Sequence, residues 1–239
     1  MSDSTEHLVK SFDNDLKRLR DMLTEMGGIV ESQLAMAAQA ILNRDAVVAM
    51  RAVEEDPKVD ALEREVEQFV IQMLALRQPM AGDLRRIVAA LKITGDLERI
   101  GDYAANVAKR SVVLGQYNLP YSLAGLAHMA TLVQEQLKSI MDALGTSDTA
   151  KAVEVWRSDR VVDDIYNALF RELITYMMED PRNITPCTHL LFIAKNLERI
   201  GDHTTNIAET VYYAVEGEAI PDVRPKGDTS AYTVVKPKE

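Results

Sequence analysis

The chain has 239 residues and a formal net charge of −10, and 47% of its residues are hydrophobic although only 5% are aromatic. This length can bury the cores of two halves of about 100 residues each. The acidic balance, without a large basic cluster, argues against nucleic acid and against an anionic membrane surface as ligands.

Apolar periodicity and the positions of proline and glycine predict six long helices. No stretch alternates apolar and polar residues in the manner of a strand, so the predicted fold class is all-α. Pro57 lies inside the second helix, where we expect a kink or a restart with Asp56 as the N-cap. The predicted helices span residues 7–42, 45–76, 82–114, 122–144, 148–178 and 188–215, and an extended or disordered tail follows from residue 218.

The chain carries none of the usual signals for membrane insertion or secretion. It has no uninterrupted apolar run of about 18 residues, and its first 20 residues are charged and amphipathic. Cys187 is the only cysteine, so neither an intramolecular disulfide nor a thiolate metal site is expected. These features predict a cytoplasmic protein without membrane insertion.

One phrase, Leu-Glu-Arg-Ile-Gly-Asp, occurs at residues 97–102 and again at residues 197–202. Similarity continues upstream at an offset of 103, where for example Gln33 aligns with Gln136. Two long copies favour a duplicated domain over a solenoid, whose units are shorter and more numerous. We therefore predict two pseudo-symmetric three-helix bundles in tandem, at residues 1–116 and 117–217, followed by the tail at residues 218–239.

Each copy places a Glu, an Asp and an Asn four residues apart, which forms one stripe on a helix. If the second and third helices of each bundle are antiparallel, acids of the second helix face this stripe across a proline turn. The stripe residues are Glu98, Asp102 and Asn106 in the first copy and Glu198, Asp202 and Asn206 in the second. The facing pairs are Asp60 with Glu98, Asp56 with Asp102, Asp163 with Glu198, and Asp159 with Asp202.

Four neighbouring carboxylates need either strongly raised pKa values or a cation among them. We therefore predict metal binding by these eight acids, with the two asparagines as neutral or supporting donors. Oxygen ligands favour magnesium, manganese, calcium or iron over zinc, which also stays among the candidates. The alternative is an ordinary solvated helix face in which Arg99 pairs with neighbouring acids. Gly101 and Gly201, at equivalent positions inside helices, predict a close approach of neighbouring helices there.

The doubled motif, with an Arg-Gln-Pro turn and an Asp-Leu-Arg segment before its first copy, resembles the PhoU family of phosphate-uptake regulators. The resemblance covers about residues 5–216. It implies two three-helix bundles related by a pseudo-twofold axis and, in some members, multinuclear clusters of iron or other metals held by Glu/Asp-x-x-x-Asp motifs. Those motifs correspond here to Glu98 with Asp102 and Glu198 with Asp202, whereas the opposing acids match the family pattern less tightly.

The resemblance implies a regulator rather than an enzyme. Such a cytoplasmic protein restrains the phosphate ABC transporter through its ATPase and holds a partner sensor histidine kinase in its non-signalling state, and we expect a homodimer. A carboxylate-bridged di-metal oxidase is the rival hypothesis, but it requires Glu-x-x-His on two helices. None of the four histidines follows a Glu by three residues. A metal-free helical adaptor is the third hypothesis.

Overall fold

The part of the chain that the structure describes contains six α-helices and no strand. The structure, a computed structural model, describes residues 2–117, 122–224 and 230–233, without the side chains of residues 2–11 and 231. The helices are α1 (Ser2–Asn43), α2 (Ala46–Arg77), α3 (Ala81–Leu114), α4 (Ala124–Thr146), α5 (Thr149–Glu179) and α6 (Ile184–Glu216). Short 3-10 turns lie at Pro181–Asn183 and Ser230–Tyr232. The predicted all-α fold is confirmed.

The second helix of each bundle begins with the same cap. Asp45 accepts hydrogen bonds from the backbone N–H groups of Val47 and Val48, at 2.9 and 3.1 Å. Asp148, its equivalent in the second copy, accepts one from Lys151 N at 3.0 Å. Each carboxylate satisfies helix donors that have no partner within the helix, a contribution of about 1 kcal/mol. The repeat therefore includes the start signals of the helices as well as the central phrase.

The expected restart at Pro57 is wrong, because α2 continues through this residue. An internal proline costs about 3 kcal/mol in helix stability, since its nitrogen cannot donate. The buried residues Ala52 and Val59 flank it, and their packing helps to offset that cost. Asp56 is consequently no N-cap, and Gln33 of α1 binds its side chain instead.

The last helix, α6, begins four residues before its predicted start. Its first turn contains Pro186, which is tolerated there because first-turn N–H groups have no acceptor within the helix. The turn before it is organised by Asp180, whose carboxylate accepts hydrogen bonds from Arg182.

Helices α1, α2 and α3 form one three-helix bundle, and α4, α5 and α6 form the other. The two bundles pack mainly through α3 against α6, with a smaller contact between α1 and α4. The helices that carry the repeated phrase are therefore the central pair of the molecule. The largest fully buried side chains are divided between the bundles: Met26, Leu34, Ile87, Ile93, Leu97 and Ile100 in the first, and Met129, Leu137, Ile140, Leu190, Ile193 and Leu197 in the second.

None of the helices in the described residues carries an apolar stretch of the length that a bilayer crossing requires.

Candidate functional site

The glycines of the repeated phrase lie against side chains from the other two helices of their own bundle. A Cβ atom on Gly101 would stand 3.1 Å from Gln33 Oε1 and 3.4 Å from Val59 Cγ1. A Cβ atom on Gly201 would stand 3.4 Å from Asp159 Oδ1 and 3.5 Å from Gln136 Oε1. The predicted close approach is confirmed at Gly101, whereas the contacts at Gly201 are ordinary van der Waals distances. In both bundles a glutamine oxygen from the first helix lies beside the phrase.

We call Asp56, Asp60, Glu98 and Asp102 the first cluster. Burial raises the pKa of Asp56, and the charges of Asp102 and Asp60 raise it further. A hydrogen bond from Gln33 Nε2 to Asp56 Oδ1, 3.3 Å long, acts in the opposite direction. Asp56 and Asp102 are therefore electrostatic neighbours across the α2–α3 hairpin, as the spacing from the proline turn predicts.

Glu98 has the most strongly raised pKa of the first cluster, in keeping with a side chain that is only 18% exposed. Burial raises its pKa to about 7, and the neighbouring Asp102 adds to the effect. The α2 acid whose charge acts most strongly on Glu98 is Glu63 rather than the predicted Asp60. Glu63 follows Asp60 by three residues on the same helix, so the i, i+3 spacing was a usable signal for it.

Arg99 partly neutralises the first cluster from its own helix. Its Nε lies 3.4 Å from Glu98 Oε2, and its Nη1 lies 3.4 Å from Asp102 Oδ2. The arginine side chain is 58% exposed, so these ion pairs are screened by solvent and are worth little stability. Such pairing is what we expect of an ordinary solvated helix face. Here it occurs beside the acids that α2 contributes from across the hairpin.

We call Asp159, Asp163, Glu198 and Asp202 the second cluster, which is buried more deeply than the first. Asp159, Asp163 and Glu198 are all buried, with Asp159 only 2% exposed. Burial raises the pKa of Asp159 to about 6, and Asp163 and Asp202 contribute to the increase. Lys195 Nζ lies 2.7 Å from Glu198 Oε1 on the solvent side. The acids of the second hairpin therefore also gather around their phrase.

Arg224, which sequence reasoning missed, contacts the second cluster from the segment after α6. Its Nη2 lies 2.6 Å from Asp202 Oδ1 and 3.4 Å from Asp159 Oδ2, so one guanidinium bridges α5 and α6. A lone arginine beyond the last helix carries no periodic signal, which is why the pattern did not reveal it. Residues 218–224 contain no helix, but they are not a detached tail, because Arg224 contacts the second cluster; residues 225–229 and 234–239 of the predicted tail lie outside the described residues.

The two asparagines of the stripe have different surroundings. Asn106 is exposed, whereas Asn206 donates through Nδ2 to Asp96 Oδ1 at 3.3 Å and accepts from Arg224 Nη1 at 3.0 Å. His203 Nδ1 also lies 2.7 Å from Asp96 Oδ1. Because Asp96 belongs to α3, Asn206 and His203 connect the two bundles. A supporting role at a metal stays a prediction for both asparagines.

The donor groups at the clusters fit a hard cation, although they are not preassembled around one. As the side chains lie, no three His, Cys, Asp or Glu residues of the described ranges converge closely enough to hold a metal ion. However, Gln33 Oε1 and Gln136 Oε1 are buried without a hydrogen-bond partner among these residues. Such an oxygen costs about 1–3 kcal/mol when it stays unpaired. Amide and carboxylate oxygens together are a suitable ligand set for magnesium, manganese, calcium or iron.

The raised pKa values predict that the metal-free protein becomes more stable as the pH falls from 8 to about 5.5. A carboxyl whose pKa is raised by folding binds its proton more tightly in the folded state, so its stabilising contribution is lost as the pH rises through the folded value. For Glu98 and Asp159 these values are about 7 and about 6. We expect a gain of roughly 1 kcal/mol, discounted for partial solvation, or about 2 to 4 °C in Tm.

Thermal unfolding with a chelator, followed at several pH values, measures this dependence. Glu98→Gln should remove most of the change above pH 6.5, because the amide does not titrate. If the Tm stays constant or decreases as the pH is lowered from 8 to 6, the prediction that folding raises the pKa values of these carboxyl groups is wrong.

Comparisons with family models, with curated proteins and with solved structures all match the same family, PhoU. The PhoU domain model matches residues 23–111 and again residues 126–211. The phosphate-specific transport system accessory protein PhoU homolog of Caulobacter vibrioides is 51% identical over 225 residues, which cover 94% of this chain and 98% of the relative. The crystal structure of PhoU from Pseudomonas aeruginosa superposes with a TM-score of 0.85 at 39% identity, covering 87% of this chain and 100% of that one.

A second solved structure extends the similarity to a more distant relative. The phosphate transport system regulatory protein PhoU from Streptococcus pneumoniae gives a TM-score of 0.82 at 29% identity. The match covers 89% of this chain and 100% of that one. Both solved structures therefore share the fold over nearly their whole length.

Proposed function

We propose that this chain, which belongs to the PhoU family, is a cytoplasmic negative regulator of phosphate uptake and of phosphate-starvation signalling. The observation that carries the proposal is the family match to both halves of the chain, which leaves only the linker and the ends unmatched. The relatives are named as accessory and regulatory proteins of phosphate transport. A protein of this kind acts through contacts with other proteins, so we assign it no catalytic residue.

The proposed partners are the ATPase of the phosphate ABC transporter and the sensor histidine kinase of the phosphate response. One feature that supports contact with a protein is an apolar stripe on α3. Leu84, Val88 and Leu91 are spaced i, i+4 and i+7, and each remains about two-fifths exposed. This spacing presents one helix face that a partner helix or a second copy of the chain can cover. A homodimer stays part of the proposal.

We further propose that the two acidic clusters bind metal. In the first bundle Asp56, Asp60, Glu98 and Asp102 would hold the ion, with Gln33 as a neutral oxygen donor from α1. In the second bundle Asp159, Asp163, Glu198 and Asp202 would do so, with Gln136 in the equivalent position. A bound divalent cation supplies positive charge between carboxylates that otherwise repel one another. Asp60 is close enough to Asp56 for its charge to raise the pKa of that acid.

Two measurements on the full chain test this proposal together. Protein purified without chelator is analysed for metal, and the same tagged protein is used to capture the transporter ATPase and the sensor kinase from membranes of its own cells. We expect bound metal and recovery of at least one of these partners. Protein without metal that still recovers a partner would support the adaptor hypothesis, and oxygen consumption by iron-loaded protein would support the oxidase.

A pair of variants makes the partner measurement specific. Leu84→Glu combined with Leu91→Glu should reduce capture, because it places charge on the proposed docking face. Ile71→Glu combined with Leu76→Glu is the matched control on α2, where both residues are exposed. Equal capture by both variants would move the contact away from α3, whereas failure of the wild-type chain to capture either partner would overturn the partner assignment.

A further inference from the structure

The chain folds back over the second cluster after its last helix. Gly217 ends α6 with a φ of 83°, in the left-handed region that favours glycine. Residues 218–224, which we call the tail segment, then return along the bundle. Ile220 packs against the hydrophobic core, and Asp222 Oδ2 lies 3.1 Å from Arg157 Nη2 of α5. The chain reversal at Gly217 and the packing of Ile220 bring Arg224 to the acids of α5 and α6, whereas the exposed Asp222–Arg157 pair adds little to this docking.

Arg224 makes four polar contacts at the second cluster. Its Nη2 donates to Asp202 Oδ1 at 2.6 Å, to the Asp202 carbonyl oxygen at 3.2 Å and to Asp159 Oδ2 at 3.4 Å. Its Nη1 donates to Asn206 Oδ1 at 3.0 Å. The side chain is largely buried, so its charge is poorly screened by solvent. A positive group therefore already lies between two of the carboxylates that would bind a cation.

In the first cluster the neighbouring positive group, Arg99, is exposed and is held less firmly than Arg224. Arg99 comes from the same helix as Glu98 and Asp102, both of its contacts are 3.4 Å long, and most of its side chain is in solvent. An exposed arginine of this kind can turn away at little cost. The two clusters, alike in sequence, consequently differ in how firmly their acids are already paired.

The tail segment is nevertheless held in a way that permits its release. Arg224 Nε is buried without an acceptor among the described residues, which costs stability in the docked position. An open cleft of about 340 Å³ lies beside the segment, lined among others by Val88, Tyr213, Ile220 and Arg224. A loosely packed segment of this kind opens more easily than the helices around it.

We propose that Arg224 is a built-in counter-cation that closes the second cluster to metal, so that this cluster takes a divalent ion only when the tail segment is released. The inference rests on metal binding as proposed above. A guanidinium and a metal ion compete for Asp202 Oδ1 and Asp159 Oδ2. The guanidinium occupies lone pairs that a metal ion would use, and the two positive charges repel each other when they lie side by side. The first cluster has no such segment over it and therefore binds a divalent ion first.

The test is a Mn²⁺ titration of the chelator-treated full chain, with binding measured by calorimetry and by the EPR signal of free Mn²⁺. Glu98→Asn with Asp102→Ala removes the first cluster, so that only the second is measured. On this background, Arg224→Gln should tighten Mn²⁺ binding at least about tenfold, the effect of removing about 1.4 kcal/mol of competition. Arg157→Gln, which breaks only the exposed pair with Asp222, is the matched control and should change binding less than about twofold.

Equal Mn²⁺ affinity with and without Arg224 would overturn the proposal. If the unmodified first cluster binds Mn²⁺ in the same series, the metal part of the proposed function survives that result. If neither cluster binds Mn²⁺ in any variant, both fail. A second readout is hydrogen exchange in peptides that cover residues 218–224, which should become faster when the second cluster fills. Filling of this cluster without faster exchange there would also overturn the proposal.

Discussion

In phosphate-rich medium, cells that lack this chain are expected to keep importing phosphate and to express phosphate-starvation genes at the level seen under starvation. The reason is that a negative regulator supplies the signal that stops both processes, so its removal leaves the transporter and the kinase active. Radiolabelled phosphate uptake and a reporter for a starvation gene, measured in rich and poor medium, test this expectation. The effect should be large, because the difference between the two media should disappear.

Two complemented strains provide the controls. The wild-type chain should restore repression in rich medium. A chain with Glu98→Asn and Asp102→Ala should restore it only if regulation does not need metal in the first cluster. Normal repression in the deletion strain itself would contradict the assignment of this chain as the off signal.

Replacing Glu98 with Asn and Asp102 with Ala is expected to remove the metal bound by the first bundle and to leave binding by the second bundle unchanged. Each cluster draws its acids from its own helical hairpin, α2 with α3 or α5 with α6, so the loss should not spread. Chelation should destabilise the wild type, because a ligand present at 100 times its Kd stabilises by about 2.7 kcal/mol. For a chain of this size that corresponds to about 5 to 10 °C in Tm.

Without metal and near neutral pH, the double variant should be more stable than the wild type. The wild type keeps Glu98 and Asp102, whose negative charges disfavour each other, and the raised pKa of Glu98 reflects this repulsion together with burial. The double variant lacks both charges and should lose that penalty in the first bundle. Metal content per chain and thermal unfolding with and without chelator provide both comparisons.

The matched control removes two acids from exposed positions on the same two helices. Glu65→Asn combined with Asp83→Ala changes the net charge equally, but Glu65 pairs with the exposed Arg18 and Asp83 lies beside the exposed Arg86. This control should keep its metal. Unchanged metal content in the Glu98 and Asp102 double variant, or a chelator without effect on the wild type, would leave the stripe as a solvated helix face.

Much of the fold could be predicted from the sequence because its determinants are local. Asp45 and Asp148 mark helix starts, and apolar periodicity marks the buried faces. The predicted restart at Pro57 was wrong, because a local helix-breaking preference is overridden there by buried neighbours from the same helix. Local preferences therefore identified the helices, but they did not decide whether α2 continues through its proline.

The candidate site was predictable to the extent that it depends on spacing from a turn. Counting outward from the proline turn correctly brings Asp56 near Asp102, but the acid that acts most strongly on Glu98 is Glu63 rather than Asp60. Interhelical rotation and register decide such details, and these depend on how three helices pack together. The ligand roles of all eight acids stay predictions.

The sequence by itself determined the helical class, the duplication and the acidic stripe, because helix hydrogen bonds and i, i+4 spacing connect residues that are close along the chain. Only the tertiary structure decided that α3 packs against α6, that His203 of one bundle contacts Asp96 of the other, and that Arg224 returns to Asp202. Those contacts join residues far apart in sequence or follow a chain reversal. Their free energy depends on the complete packing of both bundles, and no local pattern records it.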